Sequence, residues 1–326
     1  MQIAVIGGGF AGLALAWHFL RIKKSISLTL FEQNEIGSGA SGVSAGLLHY
    51  YAGLKAKKNF LGEEGYESTR QLLDAASEFS SAPIYENSGL LRFPINENQE
   101  KCFIAAARDY PDVHWLSAEE CLRMNPGVFP SPGLFIENCL TVYPDKYMAA
   151  LWKGCESLGA RHKKRKIHNF NELEEFDLII GAAGAGILAP PFPSLPINAL
   201  KGQILELPWP ENIPMPKSAL SSEIYVVPDR ENKKCFVGST FEREFTNADP
   251  DPEEAEKKLL PHLIKLYPAF SDIKPTGCRA GIRVTSRDRF PFIQQIEQRI
   301  FVFTGLGSKG LLYHSLLAEN FVKTIA

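Results

Sequence analysis

Gly7, Gly9 and Gly12 stand in a Gly-x-Gly-x-x-Gly spacing, and Glu32 follows twenty residues after the last of them. The chemistry this suits is the binding of a dinucleotide. Gly7 permits a tight turn. Gly9 lets backbone N–H groups approach a pyrophosphate at the positive end of a helix, and Gly12 lets that helix lie close on the preceding strand. Phe10 and Ala11 begin the helix. Glu32, with Gln33 beside it, closes the next apolar run and is placed to take ribose hydroxyls. A second turn, Gly181-Ala182-Ala183-Gly184, ends the run 177–180. A third, Gly305-Leu306-Gly307-Ser308-Lys309-Gly310-Leu311, follows the run 299–303. The small-residue loop 37–46, holding Ala40, Ser41, Ala45 and Gly46, has little side chain to fill a core and suits a backbone lying against a ligand.

For these glycines to act, they must sit at strand ends. Residues 3–6 read as a strand, the following helix runs to 20, and 28–31 is a second strand. Residues 56–80 read as a helix, and 84–140 mixes short strands and helices. Pro144-Asp145 opens a helix to 158, with Gly159 as its stop. The apolar run 177–180 is a buried parallel strand. Eight prolines between Pro190 and Pro216 mark a crossover. Strand-like runs at 203–207, 224–227 and 235–237 suggest a second sheet, and a helix over 311–325 closes the chain. The expected fold class is α/β. A discontinuous Rossmann-like unit with a parallel sheet takes 1–82, 141–198 and 276–326. An α+β substrate unit on a mostly antiparallel sheet takes 83–140 and 199–275. A nicotinamide domain comes as one contiguous block, so a nucleotide unit that is left and re-entered points to FAD.

The chain has 326 residues, long enough for two domains. Its 45% apolar content excludes disorder, and a net charge of −2 gives no bulk pull toward nucleic acid or acidic membranes. The apolar start lacks the basic leader and cleavage site of a signal peptide. No stretch has membrane-spanning length without charge, so a cytoplasmic protein without membrane partners is expected. The six cysteines form no Cys-x-x-Cys pair, which leaves no metal site to expect and favours reduced thiols.

These motifs together resemble the D-amino-acid oxidase (DAO) superfamily of FAD-dependent oxidoreductases, near the glycine and sarcosine oxidases, over nearly the whole chain. Locally, Arg279-Ala280-Gly281-Ile282-Arg283-Val284-Thr285-Ser286-Arg287-Asp288-Arg289-Phe290-Pro291 and Gly305–Leu311 are most similar to the oxidoreductase domains of the bifunctional tRNA methylaminomethyl-2-thiouridine biosynthesis proteins. Those domains cleave a carboxymethyl group from a secondary amine on wobble uridine. The resemblance implies FAD, with Gly7, Gly9, Phe10, Ala11, Gly12, Glu32, Gln33, Ala40, Ser41, Ala45, Gly46, Leu47, Ile167, Ala183, Gly184, Gly305, Leu306, Gly307, Ser308, Lys309, Gly310 and Leu311 in contact with it. Gly281 stands where sarcosine oxidases carry their flavin-linking cysteine, so non-covalent FAD is expected.

The resemblance also implies oxidation of a C–N bond of a small, carboxylate-bearing primary or secondary amine, by hydride transfer to flavin N5. Arg283 would pair with the substrate carboxylate through its planar fork; the structural alternative is an ion pair with Asp288. Tyr225, in a Tyr-x-Val-Pro strand, would line the substrate cavity or serve as an ordinary strand residue. His49 would touch substrate and is a candidate base, against the alternative of a packed histidine. Lys309 would favour negative charge on reduced flavin or help activate oxygen, or point to solvent. The basic run Arg161-His162-Lys163-Lys164-Arg165-Lys166 could meet tRNA phosphates, but a solvated strand face beside the adenine site is preferred. The electron acceptor is oxygen or another acceptor. Three alternatives stay open: a standalone tRNA wobble-uridine carboxymethylaminomethyl oxidoreductase, a non-catalytic flavin-binding module, and a nicotinamide dehydrogenase.

Overall fold

The computed structural model describes residues 1–23 and 25–325. One sheet has six strands in the order Phe292–Glu297, Ile300–Thr304, Leu178–Gly181, Gln2–Ile6, Ser27–Glu32 and Arg161–Lys164. Its neighbours are parallel except at the Phe292–Glu297 edge. Parallel strands need both faces covered, which is why Ile3, Ala4, Val5, Ile179 and Ile180 are apolar without alternation and fully buried. Helices Phe10–Ile22, Gly62–Ser77, Pro144–Ser157 and Gly310–Thr324 pack together on one face around Leu13, Leu15, Leu151 and Tyr313. Phe31, Ile167, Phe170, Phe176 and Phe192 fill the other.

The second sheet has eight strands in the order Gly277–Ser286, Ile197–Pro208, Lys234–Gly238, Tyr225–Asp229, Ala219–Ser221, Leu90–Arg92, Gly133–Ile136 and Val113–Leu116. It is antiparallel except between Ala219–Ser221 and Leu90–Arg92. Alternation splits its side chains. Leu205, Leu207, Val226, Cys235 and Val237 face Leu259 and Leu263 of the helix Pro252–Leu266. Leu90, Ala219 and Val227 face the other way and join the core of the nucleotide unit. This near face is therefore the wall between the two units. A small sheet of Leu47–Leu48, Leu140–Val142 and Tyr85–Asn87 lies between them in the chain's path.

Three expectations about boundaries are corrected. The segment 277–286, expected in the nucleotide unit, forms a ten-residue ladder with 197–206 and belongs to the large sheet. Pairing along the whole strand also lengthens the expected 203–207 run to Ile197–Pro208. The helix expected over 56–80 forms only at Gly62–Ser77. Asn59 folds the chain back first, donating its N–H and Nδ2 to the Tyr50 carbonyl at 2.8 and 2.9 Å. None of the described helices is long and apolar enough to cross a membrane. All six cysteines are free thiols.

The helical layer carries a buried polar pair. His314 Nε2 accepts from Tyr147 Oη at 2.7 Å, and its Nδ1 donates to the Leu311 carbonyl at 3.1 Å. Both ring nitrogens are satisfied by the neutral form, and burial pushes the imidazole down to about 4. In the unfolded chain it titrates near 6.5. The unfolded state therefore takes up a proton first as pH falls, so this contribution is full above about 6.5 and is lost on descending toward about 4. The urea midpoint should decline across that range. His314→Asn should show a flatter decline while being less stable at pH 7; an unchanged slope would remove His314 from the effect.

Candidate cofactor and substrate site

Three chain segments meet at the first glycine turn. Gly7 has φ +111°, and a Cβ there would lie 2.4 Å from the Ala182 carbonyl oxygen, so the first and second turns touch backbone to backbone. A Cβ at Gly12 would lie 1.8 Å from the Gly7 carbonyl oxygen, which is how closely the helix Phe10–Ile22 sits on its strand. Gly9 precedes that helix in extended conformation and provides no side-chain cap. Ser41 supplies one from the Ala40–Val43 turn, accepting from Phe10 N–H at 3.1 Å. Glu32 accepts from Gly8 N–H at 2.8 Å and Asn34 N–H at 2.9 Å, which keeps the carboxylate at the rim of the turn. Gln33 beside it is exposed, while Ala11 is buried.

The remaining expected cofactor residues are spread over four further segments. Gly46 adopts φ +77°, and its carbonyl accepts from Val142 N–H at 2.8 Å, so Ala45 leads directly toward the small sheet that Leu47 begins. Ile167 is buried in the core behind Phe31. Ala183 and Gly184 lead into the short turn Gly184–Leu188. Thr304 ends its strand with a buried Oγ1 that has no hydrogen-bond partner, just before Gly305. Leu306 bridges to Thr285, and Gly307–Lys309 form one 3-10 turn before the helix Gly310–Thr324. Gly310 approaches the Phe10 ring, 3.7 Å from where its Cβ would be, and Leu311 is buried. A helix N-terminus, a side-chain-free turn, an acid at the second strand end and an unpartnered hydroxyl at the third turn fit FAD. Gly281 and its neighbours offer no thiol for a covalent link in this wall.

The near face of the large sheet closes the opposite side. Residues 279, 281 and 283 share it by alternation. A Cβ on Gly281 would lie 3.0 Å from the Ala40 Cα, so this strand rests directly on the Ala40–Val43 turn. Arg283 Nη2 donates to the Thr240 carbonyl at 3.3 Å, and its Nε is buried with no partner. Gly202 makes room for that guanidinium, since a Cβ there would lie 2.3 Å from Nη2. Burial lowers the pKa of Arg283, an environment set against an unpaired cation. The ion pair with Asp288 does not form. Asp288 instead accepts from Ser286 Oγ at 2.8 Å and Phe290 N–H at 3.1 Å.

The structure brings Tyr225 to Arg283. A Cβ on Gly238 would lie 2.7 Å from the Tyr225 hydroxyl, so that glycine opens the space the phenol occupies. Burial raises the phenol to about 12, with Arg283, Ser239 and Arg279 opposing the shift, so it stays protonated. His49 is placed differently. Its Nδ1 accepts from Tyr51 N–H at 3.3 Å, and burial with the nearby Arg92 cation pushes it down to about 3. A ring so held does not suit the role of general base. Lys309 is partly buried, with its ammonium 6.0 Å from the Tyr313 ring; burial and then Arg289 lower its pKa. Ser308 is exposed.

Two residues of this wall had no role in the sequence reading. Arg279 stacks 4.7 Å over Phe236, donates to the Gly42 carbonyl at 3.2 Å, and has Nε 2.9 Å from Glu206 Oε1 as an ion pair without hydrogen-bond geometry. Its spacing of four from Arg283 on one strand was the available signal. Phe241 lies with its ring 5.8 Å from the Arg283 guanidinium and is 64% exposed. No sequence pattern announces it. The basic run lies along the exposed edge strand Arg161–Lys164, where Lys164 pairs with Glu35 and Arg165 with Glu172. A cavity of about 570 Å³ lined by Tyr50, Tyr66, Tyr85 and Asn138 contains none of the expected site residues.

The family model described as FAD dependent oxidoreductase, DAO, matches residues 2–323. The glycine oxidase of Bacillus licheniformis is 24% identical over 337 residues, covering 94% of this chain and 88% of that protein. The tRNA 5-methylaminomethyl-2-thiouridine biosynthesis bifunctional protein of Methylobacillus flagellatus is 27% identical over 365 residues, covering 98% of this chain and 55% of that protein. The crystal structure of glycine oxidase from Geobacillus kaustophilus superposes with a TM-score of 0.83 at 21% identity, over 99% of this chain and 95% of that one. The fold is thus that of this flavoprotein architecture.

Gly9 tests the cradle. A Cβ there would already lie 2.8 Å from Ser41 Oγ, and a valine would fill the place of the pyrophosphate. Gly9→Val should purify colourless, with its circular dichroism near wild type. A yellow, flavin-replete variant would move the pyrophosphate elsewhere.

Proposed function

The chain belongs to the DAO family of FAD-dependent oxidoreductases, and from that premise we propose that it oxidises the C–N bond of a small, carboxylate-bearing primary or secondary amine. The observation that carries this reading is Arg283. It is a cation with a buried, unpartnered Nε and no carboxylate paired to it among the described residues, and it faces the wall of the flavin site. Leaving such a group unmatched is costly, and a substrate carboxylate would satisfy it with two parallel charge-assisted bonds. Sequence likeness to a glycine oxidase over 94% of the chain supports the same substrate class.

Bound FAD supplies the two-electron acceptor for this oxidation. The chain's own residues then have three tasks. Arg283 fixes the carboxylate end of the amine, so the carbon to be oxidised stands at a set distance from the cofactor. Tyr225, protonated up to about 12, donates a hydrogen bond from its hydroxyl rather than accepting a proton. Phe241, with its ring 5.8 Å from the guanidinium, gives it an apolar neighbour, which strengthens the carboxylate contact by excluding water. No side chain is assigned as base. The amine needs only to be neutral, and water can carry its proton. Lys309, with its lowered pKa at the third turn, is the residue we assign to stabilising negative charge on the reduced cofactor. The electron acceptor is oxygen or another acceptor.

A second reading is that the amine belongs to tRNA wobble uridine, as a carboxymethylaminomethyl group. The likeness to the Methylobacillus flagellatus protein over 98% of the chain favours it, and Arg283 would hold the same carboxylate. Mass spectrometry of tRNA nucleosides from a deletion strain separates the readings. Accumulated carboxymethylaminomethyl uridine selects the second; an unchanged nucleoside profile selects the free amine.

Arg283→Ala should keep FAD and lose about 1.5–3 kcal/mol of binding toward carboxylate amines, roughly a 10- to 150-fold rise in half-saturation. Anaerobic bleaching of the flavin by glycine, sarcosine and iminodiacetate, with a carboxylate-free amine as control, measures this. Equal half-saturation in wild type and variant would end the role given to Arg283.

A further inference from the structure

Arg92 ends the strand Leu90–Arg92 and is only 9% exposed. Its Nη1 donates to the Tyr51 carbonyl at 2.9 Å and its Nη2 to the Gly53 carbonyl at 2.8 Å. The guanidinium lies 4.9 Å over the Phe103 ring. No carboxylate pairs with it among the described residues. Asp112 serves the same segment from another side: it accepts from Tyr50 Oη at 2.8 Å, from Tyr51 Oη at 2.5 Å and from Asn138 Nδ2 at 3.0 Å. A buried cation without a counter-ion is an expensive way to fill space that a methionine would fill. What the arginine adds is its fork, which spans two carbonyls two residues apart.

Those carbonyls belong to a segment with a role of its own. Leu47–Leu48 continues from Gly46 and pairs with Leu140–Val142. His49 then accepts from Tyr51 N–H, and Gly53, at φ +109°, turns the chain away. At its other end, Arg92 pairs in register with Ser221, and Ser221 with Tyr225. One side chain thus ties the far end of the 46–53 wall to the strand row that carries Tyr225.

We infer that Arg92 is a positioning residue for the amine oxidation: its fork on the Tyr51 and Gly53 carbonyls sets the distance between the 46–53 wall of the flavin site and the sheet face that bears Tyr225 and Arg283. This rests on reading Gly46 and Leu47 as flavin contacts. Arg92 itself touches neither cofactor nor substrate. Its loss lets the two walls drift relative to each other, which leaves both binding steps nearly intact and degrades the geometry of the reacting pair.

The test uses the FAD-loaded enzyme and its Arg92→Met and Arg92→Lys variants. Anaerobic flavin reduction across glycine or sarcosine concentration separates the limiting rate from the amine dissociation constant, and visible circular dichroism reports the flavin's surroundings. Arg92→Met should retain FAD, keep the dissociation constant within about twofold, and lose roughly 10- to 100-fold in limiting rate, with an altered flavin band. Arg92→Lys, which can satisfy one carbonyl, should fall between. A lowered thermal midpoint with a wild-type limiting rate and flavin band in Arg92→Met, or a wild-type rate in Arg92→Lys, overturns the inference. Leu47→Trp tests the underlying placement separately. A tryptophan against the flavin should quench its fluorescence, and unchanged fluorescence would sink the placement whatever Arg92 does.

Discussion

The strand Gly277–Ser286 has to lie on the Ala40–Val43 turn with no side chain between them. The rest of the site follows from that contact. Gly281 permits it, and on either side the alternation of the strand delivers Arg279 to the Gly42 carbonyl and Arg283 to the Thr240 carbonyl. The same turn reaches the other way, through Ser41, to the first N–H of the helix that follows the glycine turn. A single small-residue turn therefore couples the N-terminus of the helix Phe10–Ile22 to the arginine-bearing face of the large sheet. Any bulk at position 281 would push the two apart and disconnect them.

The electrostatic character of the interior is consistent with this. Arg92 and Arg283 have no carboxylate partners among the described residues, and burial lowers the pKa of both. Arg279, between the two units, is by contrast paired with Glu206, which also takes Lys234 at 2.7 Å. The paired arginine makes a joint. The unpaired ones keep their donors for backbone carbonyls or for a ligand. The imidazoles of the partly buried His18 and the buried His314, each pushed down to about 4, add no positive charge to the helical layer at neutral pH.

Much of this was legible in the sequence because it depends on backbone. A turn that must be free of side chains can be written only with glycine, so Gly7–Gly12, Gly181–Gly184 and Gly305–Gly310 marked three strand ends correctly. Arg283 stood out only through the family resemblance of the segment around Gly281. What could not be read depends on which residues face one another across separate strands. The ladder between 197–206 and 277–286 overrode a domain boundary drawn from sequence order. The restraint on His49 comes from Tyr51 and from Arg92 on another strand, and no local pattern encodes it. Phe241 lies over Arg283 because Thr240, its neighbour, is the arginine's acceptor.

The order of strands in the parallel sheet also bears on how the protein is made. Ile3 pairs with Leu178, and Ile179 in turn pairs with Ile300. The first strand's edge is thus closed by a strand from the middle of the sequence, and that strand's own edge by one later still. Until Leu178–Gly181 is in place the first strand has one neighbour, Ser27–Glu32, and its other edge is open to mispairing. A parallel strand whose partners lie this far apart in sequence pairs late, so its unpaired edge is a point of aggregation risk during folding.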